Sequence, residues 1–158
     1  IGFSKIDIAL YSKGVGWITT IAFTLIGGLF AIRAGIFKAL IFSGIAMATT
    51  NLFFSLMAWI ERSELIFVFA VLLDGLATAF ATVTFVAFIS TLIDRNYTAT
   101  QYALLASVGT AGRTILASSS GEMVDWLDGD WALFFILTTA MVIPSLILLV
   151  LIRKKLPI

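Results

Sequence analysis

The 158-residue chain contains no histidine, no cysteine and only two prolines, and its Asp, Glu, Lys and Arg together make up 12 %. Each scarcity excludes something. Without histidine, the commonest general base and the commonest metal ligand are both gone. A rhomboid-type serine protease and an intramembrane zinc protease would lack their base or their ligands. An aspartyl intramembrane protease needs two aspartates on facing helices, and Asp74 stands alone at depth in an apolar stretch. A catalytic constellation needs at least two matched groups, so the chain reads as no enzyme, with no cofactor and no metal site. Without cysteine, disulfides say nothing about the redox compartment. A formal net charge of +1 gives no field for nucleic acid or acidic polymers. No Pro- or Ser-rich linker divides the sequence.

What is present is apolar. Hydrophobic residues make up 61 % and mean hydropathy is +1.11, whereas a soluble domain has about 45–50 % apolar residues. Lipid is the solvent that suits such a surface. Spanning it takes about 20 apolar residues per helix, and five runs qualify: 8–32, 39–60, 65–93, 101–123 and 132–152. The third is long enough to tilt. Short connectors at 33–38, 61–64, 94–100 and 124–130 carry most of the charge and force antiparallel neighbours. The expected fold is an all-α membrane bundle of five spans with no soluble domain. The chain opens on Ile1 rather than Met, with no cleavage site behind its first apolar run. That run is therefore no signal peptide, and an N-terminal part is expected to be missing.

Lys and Arg set the expected orientation. Arg33, Lys38, Arg95, Arg153, Lys154 and Lys155 fall on one side, with only Lys5 and Arg62 on the other. The first side is read as cytoplasmic, and with it the C-terminus. Trp59, Trp126 and Trp131 then mark the outer interface, Tyr97 and Tyr102 the inner one. Thr98 and Gln101 are spaced as a capping box opening the fourth span, Asp130 as an N-cap for the fifth. Pro144 predicts a kink inside the fifth span. The fourth span is the least hydrophobic, rich in Gly, Ala and Ser, which suits close packing or a cavity wall.

Three ionisable groups lie within the spans: Lys13, Asp74 and Arg113. A charge at the bilayer centre costs at least about 2.5–3.5 kcal/mol and marks function by default. At 1.5 Å per residue Asp74 lies about 14 Å from the outer end of its run, Arg113 about 15 Å and Lys13 about 8 Å. Asp74 and Arg113 would meet if the third and fourth spans face each other. Each charge heads a polar stripe: Asp74 with Thr78 and Thr82, Lys13 with Thr20 and Thr24, Arg113 with Thr110 and Ser120. Two readings stand. In one, Asp74 and Arg113 form an ion pair that only fixes packing, and Lys13 snorkels to the interface. In the other, Asp74 carries a coupling proton and Arg113, charged in any protein environment, anchors a carboxylate or phosphate. Asn51 reads as an interhelical hydrogen-bonder, Glu122 as a solvated rim residue.

The sequence from Gly28 to Lys38, GLFAIRAGIFK, resembles the cytoplasmic loop motif of the major facilitator superfamily, G-x-L-x-D-R-x-G-R-R. Gly28, Arg33 and Gly35 match, Ile32 replaces the motif's Asp, and the paired basic residues reduce to Lys38. Gly35 suits the tight turn, and Arg33 suits the helix C-terminus. A more specific likeness runs through Thr98, Thr100 and Gln101 in the string TATQYALL, then Gly112-Arg113, Gly121, Trp131 and Phe134-Phe135. It is similar to the AmpG family of muropeptide permeases, along essentially the whole chain.

That resemblance implies the C-terminal half of a twelve-span carrier in the bacterial inner membrane, with these five as spans eight to twelve. It implies proton-driven import of anhydromuropeptides for cell-wall recycling. Its partners would then be a small solute, protons, the bilayer and the missing N-terminal half. In that fold the third helix of each three-helix repeat is peripheral, and here those spans, the second and fifth, hold no ionisable residue in their interiors. Related carriers move acetyl-CoA, other sugars or siderophores, and those cargoes stay open. So does a non-transporting scaffold or sensor, which would tolerate loss of Lys13, Asp74 and Arg113.

Overall fold

The computed structural model describes residues 6, 16–60, 63–93 and 98–153. Among them are six helices: α1 (Gly16–Ala34), α2 (Ile36–Trp59), α3 (Glu64–Thr91), α4 (Thr98–Ser118), α5 (Ser120–Trp126) and α6 (Trp131–Ile152). The architecture is all-α. By length and composition α2, α3 and α6 are long and apolar enough to cross a membrane. That is three of the five spans expected. α1 contributes a shorter apolar stretch, Thr19–Ala34, and the expected start of the first span at 8 lies outside the described residues. α4 carries too many Gly, Ser and Thr to reach the same apolarity.

The chain reverses between α1 and α2 on one residue. Gly35 adopts φ 89 and ψ 145, a conformation open to glycine and strained for other residues. Its N–H donates to the Ala31 carbonyl and its own carbonyl accepts from Ala39 N–H, closing one helix and opening the next. The expected cap of α6 is present: Asp130 is extended and its side chain accepts from Leu133 N–H at 2.9 Å. Just before it, Asp128 and Gly129 take positive φ, and Gly129 N–H reaches back to the Val124 carbonyl. α6 then runs through Pro144 without losing helical form.

The fourth expected span, 101–123, is not one helix. It breaks at Ser119, between α4 and α5. Three successive serines explain the break: the hydroxyls of Ser118, Ser119 and Ser120 donate to the carbonyls of Ile115, Leu116 and Ala117. Such back-bonding competes for carbonyls that serve the helix ladder and bends helices. The Ser119 N–H to Ile115 carbonyl bond stretches to 3.4 Å there.

The body of the molecule is the row α1, α3, α2, α6. α1 and α3 run parallel, with Gly27 of α1 pressed on Phe80 and Val83 of α3. α2 lies antiparallel to α3, its Ser43 level with Thr84. The rings of Phe30, Phe42 and Phe80 join all three helices at centroid separations of 5.3–5.5 Å. α6 lies antiparallel to α2: Leu146 meets Gly44, the Thr139 hydroxyl donates to the Ala48 carbonyl, Phe135 stacks on Phe54, and Ser55 donates to the Ala132 carbonyl. The outward faces stay apolar, with Ile32 82 % exposed and Leu148 59 %, as a lipid-facing surface requires. α4 stands apart and buries no residue. Among the described residues the close approach suggested by its small residues is met at Gly109.

Candidate functional site

The polar stripes read from the sequence meet on the α1–α3 seam. Because these helices run parallel, Thr20 stands level with Asp74 and Thr24 with Thr78. The four side chains and Thr82 line a cleft of about 280 Å³, floored by Val71, Gly75 and Ala79. Asp74 is half-buried at its wall; Thr78 and Thr82 are exposed. Asp74 lies roughly 15 Å along α3 from its start, at 1.5 Å per residue. Spacing at i, i+4 and i+8 puts Asp74, Thr78 and Thr82 on one helical face.

The hydroxyls around the cleft divide their roles. Thr24 donates to the Thr20 carbonyl at 2.7 Å and Thr82 to the Thr78 carbonyl at 2.8 Å. Their protons are spent inside their own helices, so towards the cleft they act as acceptors. With the carboxylate also an acceptor, the walls suit a solute rich in hydrogen-bond donors.

On its other side Asp74 faces α2. The Thr50 hydroxyl, 6 % exposed, is the hydrogen-bond partner of the Asp74 carboxyl. The same hydroxyl is 2.9 Å from the Met47 carbonyl. It has one proton, so it donates to one of them at a time. The sequence pointed instead to Asn51 as the polar contact of α2. Helix register explains the difference: Thr50 shares the α3-facing side of α2 with Ser43, seven residues before it, while Ser55 turns towards α6. Among the described residues Asn51 makes no such cross-helix bond. A Ser/Thr stripe at i, i+7 was the available signal.

Arg113 is not at this site. It is exposed on α4, and among the described residues it makes no ion pair with Asp74. α4 touches α3 where Gly109 meets the Phe85 ring, 3.1 Å from the Cβ position. Counting back along antiparallel helices from that contact sets Arg113 roughly 10 Å from the level of Asp74. Depths counted from the ends of the runs hid this offset, because α3 and α4 do not start and stop at one height. Thr110 lines a shallow groove along α4 with Tyr102, Ala106 and Thr114, again apart from Asp74. Thr98, Thr100 and Gln101 form the first turn of α4. Lys13 lies outside the described residues.

The loop-motif residues gather at one end of the bundle. Arg33 occupies the last turn of α1, Gly35 makes the turn, and Lys38 is in the first turn of α2 and exposed. Arg153 joins them, its guanidinium carbon 4.9 Å from the centre of the Phe37 ring. Three of the basic residues that set the expected orientation thus share an end. Arg95, Lys154 and Lys155, with Lys5 and Arg62 of the opposite side, lie outside the described residues. Gly28 is not the close-approach glycine of the motif: a Cβ there would sit 3.8 Å from Val83, whereas at Gly27 it would meet Phe80 at 2.9 Å.

No family model matches the chain. Curated relatives do, along nearly all of it. The anhydromuropeptide permease of Escherichia coli K12 is 30 % identical over 156 residues, covering 99 % of this chain and 31 % of that protein. A transporter named AmpG 4 from Rickettsia conorii is 30 % identical over 158 residues, 98 % of this chain and 37 % of that protein. One named AmpG 1 from Rickettsia prowazekii is 32 % identical over 155 residues, 98 % and 34 %. The chain spans about a third of the length of these relatives.

Proposed function

Starting from a chain that is AmpG-like over nearly its whole length, we propose that it forms part of a secondary active transporter of major facilitator type. Its five segments are the C-terminal spans of that carrier, in the bacterial inner membrane with the C-terminus cytoplasmic. The carrier imports anhydromuropeptides and couples their entry to protons. The observation that carries this reading is the α1–α3 cleft, where one carboxyl and a double row of threonine hydroxyls meet between α3, long and apolar enough to span lipid, and the shorter apolar stretch of α1. A sugar-peptide offers hydroxyl and amide donors to such acceptors, and an intramembrane carboxylate is expensive unless it serves a pathway.

In this mechanism Asp74 takes the proton, and Thr20, Thr24, Thr78 and Thr82 hold the solute's hydroxyl and amide groups. Arg113 supplies fixed positive charge to the anionic cargo from another part of the wall, and Lys13 adds a second positive charge. One bundle rocks against the other around a midplane site. The test is uptake of labelled anhydromuropeptide into vesicles carrying the full-length protein. Asp74→Asn should abolish proton-driven accumulation while sparing exchange of labelled for unlabelled solute. Accumulation that survived the substitution would overturn the proton role, and absence of uptake by the unaltered protein would overturn the cargo.

A further inference from the structure

A second cleft, of about 640 Å³, opens at the end of the bundle where α1 turns into α2. It is separate from the Asp74 cleft and is built differently. Its walls are apolar: Ala31 and Ile32 from α1, Phe37 from α2, Val83 and Ala87 from α3. Two cations complete the lining, Lys38 and Arg153, and no acidic side chain among the described residues does. The described acids lie elsewhere. Glu64 opens α3, Glu122, Asp125, Asp128 and Asp130 cluster around α5 at the far end, and Asp74 is midway along α3.

Both cations are held in ways that leave their charge available. Arg153 stacks over Phe37 at 4.9 Å, which orients a guanidinium and leaves the N–H groups at its edge free to donate. Lys38 sits in the first turn of α2, where the helix dipole adds to its positive field instead of offsetting it. A cleft with an apolar wall and two cations that no described acidic side chain neutralises, at a helix end, is complementary to a phosphate carried on a hydrocarbon chain. Basic pockets between membrane helices hold anionic lipid headgroups in this manner.

We infer that the cleft between the α1–α2 turn and Arg153 binds one anionic phospholipid. Its phosphate lies between Lys38 and Arg153, and the upper part of an acyl chain lies along Ile32, Val83 and Ala87. The lipid ties the end of α6 to the α1–α2 turn. This requires only that the helices cross a bilayer, and is independent of what the protein carries.

The test is native mass spectrometry of the full-length protein with phosphatidylglycerol and phosphatidylcholine at equal concentration. Phosphatidylglycerol should be retained in preference. A cation near an anionic headgroup contributes about a fivefold change in affinity. Lys38→Gln should therefore lower retention about fivefold, Lys38→Gln with Arg153→Gln more than tenfold, and Lys38→Arg hardly at all. Lys38→Gln leaves the Arg153–Phe37 contact alone, so it remains informative if the double variant is poorly folded. Equal retention of the two lipids, or unchanged retention in Lys38→Gln, overturns the proposal. Soluble glycerol phosphate should not displace the lipid; displacement at matched concentration would make this a phosphate site and overturn the lipid assignment. Loss of muropeptide uptake has no bearing on any of these outcomes.

Discussion

Gly27 and Gly44 in the body of the bundle sit where helices touch, whereas of the two glycines of α4 one faces open space. A Cβ at Gly27 would meet Phe80 at 2.9 Å and at Gly44 would meet Leu146 at 2.7 Å. At Gly112 it would meet nothing within 4 Å, and among the glycines of α4 only Gly109 has a neighbour, the Phe85 ring. The two regions have similar small-residue signatures and opposite packing. In α1 and α2 the small residue removes an obstacle to a partner that is present, and Ala31, Ala39 and Phe80 close into a core beside it. In α4 the same residue types leave Arg113 and Thr110 exposed. Small residues therefore report that a backbone can be approached closely, and say nothing about whether a partner comes.

The largest break in this contrast is expected at Gly27→Val. The near atoms include the Phe80 backbone at 3.2 Å, which cannot swing aside as a side-chain tip can. Overpacking of this kind costs about 1–3 kcal/mol, to be read as a drop in the unfolding temperature of the purified protein. Next comes Asp130→Ala, which removes the cap that fastens α6. A loss of about 1 kcal/mol is expected, visible as faster hydrogen exchange in the first turn of α6 with α1 and α3 unaffected. The smallest effect, and one of opposite sign, is expected at Gly112→Ala. With open space around it, the change should stabilise α4 by up to about 1 kcal/mol through helix propensity alone. Destabilisation there would mean that α4 is closely covered, and the comparison would fail.

Much of this was legible because it depends on local spacing. The Asp74–Thr78–Thr82 face, the Gly35 turn and the Asp130 cap each follow from a few neighbouring residues. The rest depends on relations between helices. Whether Asp74 and Arg113 stand level depends on where α3 and α4 begin in space, and no run length contains that. Whether Thr50 or Asn51 looks at α3 depends on how α2 is rotated, for which the Ser43–Thr50 spacing is the one sequence signal. The break at Ser119 was local and still missed, since three serines read as small polar residues until their hydroxyls are seen drawing on carbonyls one turn back.

The shared proton of Thr50 has a consequence for how the seam tolerates a change of charge. When Asp74 is ionised, Thr50 can turn its hydrogen towards it and release the Met47 carbonyl. When Asp74 is neutral, its own O–H can point at the Thr50 oxygen, and Thr50 keeps its bond to Met47. In neither condition is the carboxyl left without a partner, so α2 and α3 need not separate for the charge between them to come and go. A rotating hydroxyl, and not a shifting helix, absorbs the difference on this side, leaving any larger movement to the wall that faces the threonines of α1.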